Sequence, residues 1–155
     1  MKPNGSLTTL FPDVRVKSVV EVRGADGCGP ELTKALAALW KGILYERSAR
    51  AAAFEPVRGL SLDDRRAFAV AAGREGLMGR LPDGRTVAEI ARVVVKAASD
   101  GLCRQRCCGE RGNDERFWLA PIEERLASLR SPADDALEVF ERAGGRALAE
   151  HLRCA

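Results

Sequence analysis

The 155-residue sequence predicts a mainly α-helical chain with one N-terminal β-strand. Three observations predict it. From Pro30 onward, apolar residues recur every three or four positions, the period of helices that bury one face. The pairs Ser61/Asp64 and Thr86/Glu89 are helix-start capping signals, and Ser131-Pro132 with Asp134 is a proline-led version of the same signal. Only Val14 to Arg23 alternates β-branched and charged residues in the manner of a strand.

In that strand Val14, Val16, Val20 and Val22 share one face, interrupted by Ser18. Arg15, Lys17, Val19, Glu21 and Arg23 share the other, because strand side chains alternate. Gly24 and Gly27 end it. Residues 1–27 therefore read as an extended segment closing in EVRGADG, and residues 28–155 as a helical domain, the two forming one compact unit. A lone strand leaves its backbone donors and acceptors unpaired. The upstream stretch SLTTLF could pair with it, but Pro12 crowds a tight hairpin, so the strand is expected to dock on a sheet from another chain, a second copy or a missing segment.

The helices follow in order. Glu31 to Glu46 lines up Leu32, Leu36, Leu39, Trp40 and Ile43, and an alanine-rich piece from Ser48 to Phe54 halts at Pro56. Ser61 opens a helix toward Arg74, and Pro82-Asp83-Gly84 is a turn. Thr86 opens the longest helix, toward Arg106, with Val87, Ile90, Ala91, Val94, Ala98 and Leu102 as its stripe. The stretch CCGERGNDER is a polar loop, Ile122 to Leu129 a short helix, and the helix after Ser131 ends near Gly144-Gly145, leaving RALAEHLRCA as a last short helix or a frayed tail.

Composition narrows the function classes. Lys and Arg number 25 against 22 Asp and Glu, a net charge of +3 that is too mild to point to nucleic acid. No apolar run reaches the ~18 residues of a membrane span, and the start MKPNGSLTTLF has no apolar signal core. The odd set of five cysteines reads as reduced thiols of a cytoplasmic protein. Cys103 and Cys107 stand one helical turn apart beside Cys108, but without a second knuckle or a nearby histidine they do not make a zinc site. His151 reads as a surface or helix-end residue, Trp40 and Trp118 as core, and Arg104, Arg106 and Arg111 as a solvated face.

Glu21 and Arg23 carry the chemistry. They lie about 7 Å apart along the strand, too far for a rigid ion pair but suited to gripping one ligand between them. A carboxylate is the usual protein ligand of Mg²⁺, which keeps waters and takes phosphate oxygens besides. An arginine beside it neutralises charge on a transferring phosphoryl group. With Arg15 and Lys17 on the same face, the surface suits a magnesium nucleotide. A half-exposed strand with a merely wet charged face has the same pattern, and both readings stay open on pattern alone.

The stretch LTTLFPDVRVKSVVEVRGADG resembles a segment of the plant- and proteobacterial-type glutamate–cysteine ligases, in which a charged strand ends in Glu-x-Arg-Gly-Ala-Asp. The likeness continues through ALAALWKGILYE, RTVAEIA and FWLAPIEERLASLRSPADDALEVF, in family order and at similar spacing. The resemblance implies the C-terminal part of an α+β, glutamine-synthetase-like fold whose curved sheet forms a substrate funnel. It also implies an activity: ATP with magnesium phosphorylates the γ-carboxylate of glutamate, and the cysteine amine attacks the acyl phosphate to give γ-glutamylcysteine, the precursor of glutathione. Carried onto this chain, Glu21 becomes the Mg²⁺ ligand, Arg23 the catalytic contact to the phosphoryl group, and Arg15, Lys17 and Arg23 the nucleotide-binding set; Asp26 and Tyr45 receive no role. Members run to well over twice this length, so the isolated chain is expected to need a partner chain or second copy to complete the sheet. Where the family commonly reads Gly-Gly-Pro-Trp, this chain has Cys28-Gly29-Pro30-Glu31. The other readings are a non-catalytic helical scaffold or regulator, a truncated remnant of the ligase, and a ligase for another amine or acid.

Overall fold

The computed structural model describes residues 14–16, 18–25, 28–106 and 114–154. The described residues form a small hairpin followed by six α-helices, so the mainly helical class holds. The extended segment, however, is not one strand. It folds back on itself as β1 (Val14–Val16) and β2 (Val20–Val22), antiparallel, with Val14 opposite Val22, Arg15 opposite Glu21 and Val16 opposite Val20. The reversal falls where Ser18 interrupts the valines. No Gly or Asn-Gly marks it, and the valine alternation runs straight through, so the pattern reads as continuous. The backbone pairing expected from outside the segment is thus met in part within it. The SLTTLF stretch and Pro12 lie outside the described residues.

Helix α1 (Pro30–Leu44) starts on a proline in its first turn, with Gly29 as N-cap. It stops at Leu44 rather than Glu46, because Glu46 has another task. Its carboxylate accepts the backbone N–H groups of Ser48 and Ala49 and so caps α2 (Arg47–Phe54). Both capping boxes close as the sequence predicts: Ser61 with Asp64 at α3 (Leu62–Glu75), and Thr86 with Glu89 at α4 (Val87–Gln105). The Pro82-Asp83-Gly84 turn is present, with Gly84 at φ 88° and a short bridge between Arg80 and Thr86 beside it. A 3₁₀ turn, Glu115–Leu119, leads into α5 (Ala120–Ser128), which begins earlier than Ile122. Helix α6 (Pro132–Cys154) does not end at Gly144. That glycine takes φ 78° as a kink, and the tail continues helically beyond it, making α6 the longest helical run and α4 the longest straight one.

The core lies where α1, α2 and α4 meet. Ala38, Ile43, Ala98, Leu102 and Leu119 form its centre, with Leu39, Ala53 and Val94 packed against them. Leu102 and Leu119 are essentially sealed from water, each worth about 2–3 kcal/mol of burial. The helices approach through small residues. A Cβ placed on Gly42 would sit 2.3 Å from the Ala98 carbonyl oxygen. One on Gly101 would sit 2.0 Å from the Gly42 carbonyl oxygen and 2.9 Å from the Ala49 Cβ. The large residues of the predicted α1 stripe, Leu32, Leu36, Leu39 and Trp40, are only half-buried, while Ala35, Ala38, Gly42 and Ile43 are buried. On α4 the buried face is wider than the predicted stripe and takes in Val95, Ala97 and Gly101. No helix among the described residues is long and apolar enough to cross a membrane.

Candidate functional site

The hairpin brings together what the sequence separates. In an antiparallel pair, residues directly opposite each other share a face with their Cβ atoms about 5 Å apart. Arg15 therefore faces Glu21, and its Nε and Nη2 both donate to Glu21 Oε2, at 2.8 and 2.6 Å. Arg23 stands on the other side, with its Nε 3.7 Å from Glu21 Oε1. The expectation that Glu21 and Arg23 are too far apart for a direct ion pair is corrected here. The backbone spacing is long, but both side chains lean toward each other, and the carboxylate sits between two guanidinium groups. Lys17 and Asp26 lie outside the described residues.

This cluster is partly open to solvent. The side chains of Arg15, Glu21 and Arg23 are 40%, 39% and 28% exposed. On the opposite hairpin face, Val14 and Val20 are more than half exposed. Two strands of three residues cannot bury an apolar face by themselves. Among the described residues, the hairpin's apolar face is thus left largely open at Val14 and Val20.

The donor chemistry tests the fit to magnesium and nucleotide. One carboxylate is the right kind of ligand for Mg²⁺. Among the described residues no group of three or more His, Cys, Asp or Glu side chains could hold a metal. Among the described residues the cluster sets two guanidinium groups against one carboxylate, an excess of positive charge that disfavours a bare dication and favours phosphate. The residue types would fit magnesium that arrives with a polyphosphate, where the carboxylate would hold the metal and the arginines the phosphate.

A groove of about 610 Å³ opens at the start of α1, where Cys28, Pro30, Glu31, Arg125, His151 and Leu152 are among the residues lining it; Glu21 and Arg23 are not. Glu31 occupies the first turn of α1, so the position where the resembling family commonly has tryptophan contributes an exposed carboxylate to this groove. Cys28 Sγ is 3.6 Å from Thr33 Oγ1, and Thr33 also donates to the Gly29 carbonyl. His151 is in the last turn of α6, half-buried along the groove. Arg125 of α5 and Asp135 of α6 form an ion pair that, with Arg130, ties the two helices together and holds the Asp135 carboxyl below the usual carboxylate range.

Sequence reasoning missed the contacts that brace α1 from a distance. Lys41 donates to both oxygens of Glu115, at 2.8 and 2.6 Å, and Gln105 Nε2 donates to the Lys41 carbonyl. Their sequence separations of 74 and 64 leave no local signal. Arg104, read as part of a solvated face, pairs with Glu46 at 3.3 Å. The hydroxyl of Ser48, the backbone N–H groups of Ala49 and Ser48, and then Arg104 draw the Glu46 carboxyl down to about 2. Trp118, read as core, is 42% exposed beneath the Lys34 ammonium, because the 3₁₀ turn sends Leu119 alone fully inward. Tyr45 is largely exposed at the end of α1. Cys103 is exposed, while Cys107, Cys108 and Arg111 lie outside the described residues.

Comparison with known proteins decides the family. Residues 5–151 match glutamate-cysteine ligase family 2 (GCS2). The chain belongs to that family. Among its curated relatives is the chloroplastic glutamate–cysteine ligase of Nicotiana tabacum, 32% identical over 142 residues that make up 92% of this chain and 26% of the relative. The Arabidopsis thaliana enzyme of the same name is also 32% identical, with the same coverage. That of Medicago truncatula is 33% identical over 134 residues, 86% of this chain and 25% of the relative. This member of the ligase family thus spans about a quarter of the length of the curated relatives it matches. No solved structure matches the chain.

Proposed function

We propose that this chain supplies one wall of an ATP- and magnesium-dependent glutamate–cysteine ligase that forms γ-glutamylcysteine from glutamate and cysteine. The observation that carries this reading is the Glu21 carboxylate held between Arg15 and Arg23 at the end of the hairpin, in a chain of this family. Magnesium, when bound with ATP, supplies charge neutralisation at the phosphates. Glu21 offers it a carboxylate oxygen. Arg23 faces the phosphoryl group as it passes to the γ-carboxylate of glutamate, where positioning and charge neutralisation provide most of the catalysis. Arg15 and Lys17 complete the phosphate-facing surface. The exposed valines of the hairpin are covered, in this reading, by sheet from a partner chain or a second copy. The cysteine content fits a reducing, cytoplasmic setting, whereas the plant relatives are named chloroplastic.

The test is ADP release and γ-glutamylcysteine formation by the purified chain, alone and mixed with a polypeptide carrying the remaining length of a family member. The chain alone is expected to be inactive and the mixture active, with Glu21→Ala abolishing that activity. Robust turnover by the chain alone would overturn the need for a second component. An unimpaired Glu21→Ala mixture would overturn the metal assignment.

A further inference from the structure

We propose that Arg15 is a positioning residue that acts as a stand-in cation: its guanidinium occupies the Glu21 carboxylate until a phosphate-bearing ligand draws it away, so that a divalent cation enters only together with its nucleotide. This rests on the functional reading above and adds an order of binding to it. The observation behind it is the cross-strand register. Arg15 is directly opposite Glu21, and two of its nitrogens converge on the single oxygen Oε2. An arginine that served only to hold two strands together would do so equally well through both carboxylate oxygens in the bidentate fork that guanidinium and carboxylate favour. Here Arg15 takes Oε2, while Arg23 approaches Oε1 from the other side.

The electrostatics then dictate a sequence of events. A dication approaching Glu21 alone meets two positive groups within a few ångströms of its ligand oxygen, and both oppose it. A polyphosphate reverses the balance, because guanidinium pairs with phosphate oxygens as readily as with a carboxylate. As Arg15 turns to the phosphate, Oε2 becomes available to the metal that the phosphate carries. The side chains are exposed enough for this exchange to need no movement of the helices, and the hairpin backbone can stay as it is.

Titrating Mn²⁺ alone into the full chain, with free metal read by electron paramagnetic resonance, tests this with Arg15→Gln and Arg15→Lys. Both variants keep a hydrogen-bond donor opposite Glu21, and only the first removes the charge. Arg15→Gln is expected to bind Mn²⁺ on the order of tenfold more tightly than the native chain, the Coulomb effect of removing one positive charge a few ångströms from a dication in a water-like medium. Arg15→Lys is expected to bind as the native chain does. Equal Mn²⁺ affinity of the two variants would overturn the stand-in role. The double variant Arg15→Gln, Glu21→Gln separates this proposal from the reading beneath it. Loss of the gain supports both, whereas a gain that survives places the metal elsewhere and overturns Glu21 as ligand together with the stand-in. If the single variants bind equally but Mn²⁺ with inorganic triphosphate binds in a Glu21-dependent way, the metal assignment stands and the stand-in role falls.

Discussion

The helical core and the hairpin are built on opposite terms. Helices α1, α2 and α4 meet through Gly42, Gly101, Ala49 and Ala98, so closely that a single added methyl would overlap backbone atoms. The hairpin has two strands of three residues, exposed Val14 and Val20, and an ion-paired carboxylate between its strands. Stability and proposed chemistry therefore reside in different parts of this ligase-family chain. The centre of the helices is sealed from water, while the hairpin carries charged groups on one face and exposed valines on the other. Burial stabilises roughly in proportion to area, so the part with little to bury is the part whose final surroundings depend on what covers it.

That contrast can be broken or sharpened by mutation. The largest effect is expected at Glu21. Glu21→Ala should lower ligase turnover of the reconstituted enzyme by on the order of 10³-fold or more, with the helical melting midpoint unmoved. A shifted midpoint would show that the two regions are energetically joined. On the proposed reading, Arg23→Ala should cost about 10²–10³-fold in kcat of the reconstituted enzyme, by removing one cation from beside the developing phosphoryl charge. In the core, Gly101→Ala should destabilise by about 3 kcal/mol, read as a lower urea midpoint at unchanged m. A cost under about 1 kcal/mol would mean that α1 and α4 can separate easily. Thr86→Ala removes the hydroxyl that caps α4 and should cost about 1 kcal/mol, again without touching turnover beyond the lost stability.

The smallest effect is in pH dependence. The folded chain holds the Glu46 carboxyl at about 2 against an ordinary value of 4.5. A group depressed on folding contributes stability that is fully present above its unfolded value and is lost as the pH falls through the folded one. Helix content at α2 should therefore decline between about pH 4.5 and 2. Glu46→Gln should flatten that part of the acid profile by circular dichroism. An unchanged profile would locate the acid sensitivity in other caps, such as Asp64 beside Ser61.

The helix starts were legible because their causes are local. Ser61, Thr86 and Ser131 each find a carboxylate three residues on, within the reach of one turn. Glu46 shows where that reading thins. As the residue closing one apolar stripe it reads as helix, and only the fold shows that it caps the next. The hairpin was legible in its residue types and illegible in its turn, since alternation is the same whether a strand runs on or doubles back. Trp118 failed for a different reason: size and apolarity favour burial, but a 3₁₀ turn leaves room inward for one side chain, and Leu119 takes it.

By itself, then, the sequence determined the helical class, the caps, the placement of a charged strand end at Glu21 and Arg23, and the likeness to the ligase family. These depend on neighbours a few residues apart or on motif order along the chain. The tertiary structure decided that Arg15 meets Glu21, that Lys41 meets Glu115, and that glycine and alanine rather than leucine and tryptophan form the closest helix contacts. Those outcomes turn on which surfaces approach within a few ångströms, a distance that chain reversal and helix crossing set and that periodicity does not encode.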